Sequence, residues 1–264
     1  MCERLVATGL EVRIGARQVL VNGAIALQPG EVVALVGSSG SGKTLLARSL
    51  LGLVDLHPGI VAGEVTLHSA HHPPTTWRAP TTRAAREAAF QPIRRDAVGW
   101  LPQDAQQALD PFSTVERQVG RAARGDVDVD ALLVRAGFST PGAVRHRYPH
   151  QLSGGMAQRV GIAVALARKT CFFIADEPTT GLDPVVAGQV HEALRALAEA
   201  GVGVLWITHD LRAVRGIAHR VIVLDAGHIV ERCSPDDLVH ERLASDAGRS
   251  LLDATRRIAG GVLG

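Results

Sequence analysis

The sequence is short of aromatic rings, lysines and cysteines. Five Phe, three Trp and one Tyr make up 3% of its 264 residues, too few for the interleaved platforms on which single-stranded nucleic acids stack. Only Lys43 and Lys169 are lysines, and 28 basic residues stand against 26 acidic ones, a net charge of +2. That balance gives no polybasic surface, so nucleic acid is not expected as a partner. Cys2, Cys171 and Cys233 are scattered and lack a CxxC spacing. Neither a disulfide framework nor a thiolate metal site is expected from them, and free or buried thiols in a reducing compartment are the reading. No apolar run approaches the roughly 18 residues that span a bilayer, and the start MCERLVATGLEVR has no continuous apolar stretch for a signal peptide. These absences predict a cytosolic protein. What is present is apolar material for a packed core, with 46% hydrophobic residues and 20% charged, which excludes wholesale disorder.

Short β-type runs recur, and each ends at a polar or glycine cluster. Val32–Val36 runs into GSSGSGKT, Ala97–Leu101 into Pro102-Gln103, Cys171–Ile174 into Ala175-Asp176-Glu177, and Val204–Ile207 into Thr208-His209. Continuous apolar runs of this length fit parallel strands buried on both faces. Helical patterns lie between them. Pro184–Glu199 is the clearest, with Asp183 as N-cap, Pro184 at the first helical position and Gly201 beyond the end. Alternation of this kind predicts an α/β fold in which ligands bind beyond the carboxyl ends of the strands, where all four clusters would fall.

The stretch from Lys43 to Asp176 is longer than one crossover needs, which predicts an inserted helical subdomain over about 104–158. Helices are expected there at Thr114–Arg124 and Asp130–Phe138. Leu5–Ile14 and Glu64–His68 alternate like strands of a small antiparallel sheet, and Arg220–Leu224 and His228–Glu231 flank a hairpin turn at Asp225-Ala226-Gly227. One domain over 1–264 is expected, with a core over 1–103 and 159–240 and a tail over 241–264. Residues 68–96 are polar and proline-punctuated and resist assignment to an element. Their histidines His68, His71 and His72 lack carboxylate or Cys partners, so they read as part of a solvated loop rather than a metal cluster and receive no role.

Gly37-Ser38-Ser39-Gly40-Ser41-Gly42-Lys43-Thr44 matches G-x-x-x-x-G-K-[ST] between a strand and the helical run Leu45–Leu53. Glycines let the backbone curl so that its N–H groups face phosphate oxygens, and the helix presents its positive end to the same anion. Lys43 is placed to reach the β- and γ-phosphates, and the Thr44 hydroxyl to ligate Mg²⁺. Asp176 suits Mg²⁺, directly or through water, and Glu177 suits the base that orients and deprotonates an attacking water. His209 is expected at the γ-phosphate, and Gln103 at the metal or that water.

The segment YPHQLSGGMAQRV (148–160), together with Gly37–Thr44, Gln103, IADEPTTGLD (174–183) and Thr208-His209-Asp210, resembles the ATP-binding subunits of ABC transporters, in the family's order over nearly the whole chain. The resemblance implies a P-loop cassette with a mainly parallel core sheet, a small N-terminal antiparallel β subdomain and an inserted α-helical subdomain. It implies ATP and Mg²⁺, and a head-to-tail pair of cassettes in which each ATP lies between Gly37–Thr44 of one chain and Ser153, Gly154 and Gly155 of the other. Ser153–Gly155 open the helical run Met156–Arg168, a second helix N-terminus with a hydroxyl beside it. Asp183 is then expected to couple the two sites, Glu177 to be the general base and His209 the γ-phosphate switch.

Within the family, YPHQLSGGM, IADEPTT and Ala108-Leu109-Asp110-Pro111 resemble importer cassettes of the peptide, nickel and opine branch. The implied partners are a second cassette, alike or different, two membrane permease subunits and, indirectly, a substrate-binding protein. The implied place is the cytoplasmic face of the membrane. Asp104, Leu109, Pro111 and Phe112 would receive a membrane subunit's short helix, with Phe112 equally readable as core. Three departures stand out. Ile14, beside Arg13, occupies the place of an aromatic ring that stacks on adenine, a loss of about 0.5–1.5 kcal/mol that should weaken base selectivity while the phosphate contacts still hold ATP. Pro102 precedes Gln103 where relatives often have Phe. No cysteine follows Cys233, so no iron–sulfur cluster is expected. Two other functions fit less of the pattern: a regulatory cassette paired with a catalytic one, and a non-transport ABC ATPase.

Overall fold

Two sheets carry the chain, and the apolar pattern along their strands explains both. The computed structural model describes residues 2–70, 72–79, 82–240 and 242–260. In chain order the elements are β1 (Cys2–Ile14), β2 (Arg17–Leu27), β3 (Val32–Val36), α1 (Lys43–Ser49), β4 (Pro58–Ser69), β5 (His72–Arg78), α2 (Arg83–Pro92), β6 (Val98–Leu101), α3 (Val115–Ala122), α4 (Val129–Arg135), α5 (Gly154–Arg168), β7 (Phe172–Asp176), α6 (Pro184–Glu199), β8 (Gly203–Ile207), α7 (Leu211–Ile217), β9 (Arg220–Asp225), β10 (His228–Cys233), α8 (Pro235–Val239) and α9 (Asp246–Gly260).

The larger sheet has the order β10-β9-β3-β8-β7-β6. β9, β3, β8, β7 and β6 are parallel, and β10 returns antiparallel to β9. β3, β7 and β8 are buried along their whole length. Because successive side chains leave a strand on opposite faces, Val32, Ala34 and Val36 belong to the core shared with α5, α6 and α7, while Val33 and Leu35 belong to the one shared with α1 and the smaller sheet. Both faces are covered, so the strands are unbroken apolar runs, each large aliphatic side chain contributing roughly 1.5–3 kcal/mol by leaving water. The smaller sheet, β2-β1-β4-β5, is antiparallel throughout. This is the α/β arrangement that the resemblance implies, with a parallel-rich core sheet and an antiparallel β layer beside it.

Between β6 and β7 the chain is mainly helical. Thr114 caps α3 and Asp128 caps α4, each side chain accepting a hydrogen bond from a backbone N–H of the first turn. Arg145 ties the two helices by pairing with Glu116 on α3 and, at 3.0 Å, with Asp130 on α4. α6 starts as its sequence predicts, Asp183 Oδ1 accepting from Val185 N at 3.1 Å and Val186 N at 3.0 Å.

The stretch 68–96, which resists assignment from sequence, carries two elements, and one expectation is corrected. β5 pairs antiparallel with β4, and Thr82 caps α2, with Trp77 and Phe90 buried and their rings 4.9 Å apart. The prolines obscured this, yet Pro73 and Pro74 sit on an edge strand at a break in its register with β4, between the Ser69–His72 and Leu67–Thr75 pairs, where a sheet tolerates proline. His71 lies outside the described residues. The free-thiol reading of Cys2 and Cys171 is overturned: the two are disulfide-bonded across 169 positions, with Cα atoms 5.9 Å apart. Cys2 begins β1 and Cys171 leads into β7, so the stacking of the two sheets, invisible as a spacing motif, brings them together. The step from free thiols to a reducing compartment falls with it. Cys233 remains a free thiol, pushed up to about 12 by burial and then by the charges of Glu231 and Asp237.

Candidate functional site

Parallel strands deliver their ends to one edge. Gly37 follows β3, Gln103 follows β6 by two residues, Asp176 ends β7, and Thr208 and His209 follow β8. The turn after β3 is held tightly against its surroundings. A Cβ on Gly37 would lie 2.1 Å from the Leu224 carbonyl oxygen and 2.7 Å from Ser41 Oγ, so only glycine lets the loop enter there. Gly42 then hands the chain to α1, whose first residues are Lys43 and Thr44.

Lys43 is buried, and its Nζ donates to the carbonyls of Gly37 at 3.0 Å and Ser38 at 2.9 Å. Burial lowers its pKa, while the charges of Glu177 and Asp176 act in the opposite direction. Thr44 Oγ1 donates to Asp176 Oδ1 at 3.0 Å, across 132 positions of sequence. Burial holds the Asp176 carboxyl above its ordinary range; the Glu177 charge adds to that, and the Thr44 bond, Arg48 and Lys43 oppose it.

Glu177 adopts φ +46°, a left-handed conformation that costs a non-glycine residue of order 1–3 kcal/mol and is found where surroundings enforce it. Its N–H donates to the Ile207 carbonyl on the neighbouring strand at 3.0 Å. The carboxylate accepts from Thr180 Oγ1 at 3.0 Å and lies 3.6 Å from His209 Nδ1. Neither Thr180 nor this contact was singled out from the sequence, although Thr180 is three residues from Glu177 in the same turn.

An open cavity of about 550 Å³ joins these parts, lined by Ser39, Gly40, Gly42, Lys43 and Thr44, by Gln103 and Glu177, and by Ile14, Leu45, Arg48 and Leu56. Ile14 is at the tip of the β1–β2 hairpin and is 47% exposed. Hydroxyl, carboxylate and carboxamide oxygens are hard donors, the set that Mg²⁺ takes. Among the described residues no group of three or more His, Cys, Asp or Glu could hold a metal, and Mg²⁺ bound through one carboxylate, neutral side-chain oxygens, phosphates and water needs none. Thr44, Asp176 and Gln103 therefore fit the ion.

Ser153, Gly154, Gly155 and Asp183 do not line that cavity. Ser153 Oγ accepts from Met156 N at 3.3 Å at the start of α5, and Ser153 and Gly154 are exposed. A Cβ at Gly155 would lie 2.1 Å from Val186 Cγ1, so this glycine serves the close approach of α5 to α6. Asp183 spends its Oδ1 on capping α6. A smaller hollow reaches from Gln103 to Gly154, Thr180 and Leu182. Its wall holds a link that sequence reading missed: buried Gln158 donates through Nε2 to the Gln103 carbonyl at 2.9 Å, tying the turn after β6 to α5. Phe112 is 87% exposed and is not core.

The family model for ABC transporters matches residues 20–180. A putative peptide import ATP-binding protein of Brucella abortus (strain 2308) is 38% identical over 218 residues, covering 78% of this chain and 63% of the relative. The oligopeptide transport ATP-binding protein OppD of Mycobacterium tuberculosis is 38% identical over 228 residues, 82% of this chain and 35% of the relative. AppD of Bacillus subtilis, also an oligopeptide transport ATP-binding protein, is 36% identical, with coverages of 82% and 66%. The chain thus spans less than two thirds of the length of these curated relatives. Among solved structures, an ATP-binding subunit of an ABC transporter superposes with a TM-score of 0.71 at 22% identity, over 96% of this chain and 99% of that one. The dimeric cassette MJ0796, bound to ADP and Pi after hydrolysis, gives a TM-score of 0.69 at 26% identity, with coverages of 88% and 98%. No helix among the described residues is long and apolar enough to cross a membrane.

Proposed function

Because the chain belongs to the ABC transporter family, we propose that it binds and hydrolyses ATP to power import of a small solute, a peptide in the first instance, through partner membrane subunits. The observation that carries the reading is the cavity that unites the Gly37–Thr44 loop, Gln103 and Glu177 beside the Thr44–Asp176 pair. The loop N–H groups and Lys43 hold the triphosphate. Glu177, fixed by Thr180 and beside His209, takes a proton from water as the water oxygen bonds to the γ-phosphorus and the bond to the bridging oxygen breaks, leaving ADP and phosphate. Thr44, Asp176 and Gln103 would hold Mg²⁺, which when bound would neutralise charge on the phosphate oxygens. The names of the Brucella, Mycobacterium and Bacillus relatives favour a peptide over nickel or a metallophore as cargo.

The site is half of a larger one. Ser153 and Gly154 stand exposed at the start of a helix, away from the cavity of their own chain. We assign them to the triphosphate of a second cassette, with Asp183 near that junction and the helical segment of about 104–158 carrying them. The dimeric form of MJ0796 supports this arrangement. Ser153→Ala should leave ATP affinity of the isolated chain within about twofold and slow turnover of the paired cassettes tenfold or more, as loss of a transition-state donor does. Equal turnover by variant and parent would remove Ser153 from the site.

We assign exposed Phe112, with the exposed Pro111 and Asp104, to the surface on which a permease docks, and infer that the chain acts at the cytoplasmic face of the membrane. Purified from native membranes through a tag on this chain, the assembly should contain two membrane subunits and a second cassette. In proteoliposomes with a substrate-binding protein it should accumulate peptide only when ATP is supplied on the cassette side. Recovery of a fully active ATPase free of any membrane subunit would exclude the transport role.

A further inference from the structure

The cavity has two ends of different chemistry. Loop N–H groups, Lys43, Thr44, Gln103 and Glu177 make a polar end fitted to a triphosphate and its metal ion. The rest of the wall is Ile14, Leu45, Leu56 and Arg48. No aromatic ring is among the lining residues, and the three aliphatic side chains carry no donor or acceptor that could read the edge of a base.

Arg48 is the exception on that wall. It follows Thr44 by four positions on α1, so its side chain stands on the same face of the helix, one turn or about 5.4 Å beyond the residue at the phosphate end. Phosphates gather at the helix start, where the unpaired N–H groups are; a group one turn further along faces what extends beyond them. Lys43, the other cation of the wall, is committed to the loop carbonyls. Arg48 is exposed, its guanidinium makes no hydrogen bond or salt bridge among the described residues, and it acts on Asp176 through its charge alone. It is also the one delocalised planar cation in the lining, and such a group stacks on an aromatic face.

We propose that Arg48 lays its guanidinium on the base of the bound nucleotide against Ile14 and Leu56, so that the site takes purine nucleoside triphosphates as a class and does not separate adenine from guanine. This rests on the triphosphate reading of the cavity. Planar stacking rewards the larger ring system and ignores its edges, so the preference is purine over pyrimidine.

Calorimetric titration of the full chain with Mg²⁺ and ATP, GTP, CTP or inorganic tripolyphosphate tests it. For the parent, ATP and GTP should bind within about threefold of one another and CTP more weakly. Arg48→Ala should weaken ATP and GTP by about threefold to tenfold and leave tripolyphosphate unchanged. Arg48→Lys, which keeps the charge and loses the plane, should lose the purine preference as well. Ile14→Tyr in the Arg48→Ala background should restore ATP affinity by supplying a ring. An equal loss for tripolyphosphate would make Arg48 a phosphate contact and overturn the proposal, as would unchanged affinities or a strong preference of the parent for ATP over GTP. A parent chain that binds no triphosphate at all, tripolyphosphate included, would bring down the nucleotide reading itself, and this inference with it.

Discussion

Lys43→Ala should reduce ATP affinity by at least about a hundredfold, with the fold intact by circular dichroism. The amine is buried, accepted by two carbonyls of its own loop and flanked by two carboxylates. Removing it has three consequences that act in the same direction. The triphosphate loses a charge-assisted hydrogen bond in a partly desolvated place, worth about twice a neutral one. The carbonyls of Gly37 and Ser38 lose their donor, so the loop loses the strut that shapes it. Asp176 and Glu177 lose the cation that offsets them, and the anionic ligand then meets uncompensated negative charge. Lys43→Arg should recover little of the loss, because a forked planar cation does not occupy the place of a compact ammonium between two carbonyls. Titration calorimetry decides the matter, and an affinity equal to that of the parent would take Lys43 out of the phosphate site.

Glu177→Gln should behave in the opposite way, retaining ATP while turnover falls by about 10²–10⁴, the span that general-base catalysis contributes. The substitution keeps shape and leaves an oxygen to accept from Thr180, so the left-handed turn survives and only the proton acceptor is lost. With hydrolysis blocked, the nucleotide remains and the paired cassettes stay closed; light scattering should then find a two-cassette species that depends on ATP. Phosphate release by the variant at the parent's rate would transfer the base role to another group. The two substitutions also separate binding from chemistry: Lys43→Ala should lose both, Glu177→Gln only the second.

How much of this was readable before folding differs from one residue to the next. The strands Val32–Val36 and Val204–Ile207 and the helix Pro184–Glu199 are legible because local rules agree there: an unbroken apolar run needs two covered faces, and Asp-Pro opens a helix. Residues 68–96 resist assignment from sequence because what orders them is distant. Trp77 and Phe90 are buried by each other and by β4, and prolines that signal a loop are harmless on an outer strand. Gln158 and Arg48 carried no signal of their own. One is linked to a backbone carbonyl 55 positions away, and the other matters only for the cavity it helps to line.

Taken by itself, the sequence determined the glycine-rich loop with Lys43 and Thr44 at the start of a helix, the order of the polar clusters and the parallel character of the strands between them, since each follows from residue type and local spacing. The tertiary structure alone decided which distant groups meet. It set Thr44 against Asp176 across 132 positions and bonded Cys2 to Cys171, while exposed Ser153 and Gly154 stayed out of the cavity that their own chain forms. The reason is physical. Local pattern reports which face of an element must be covered, and only the packing of those covered faces sets which loop ends become neighbours.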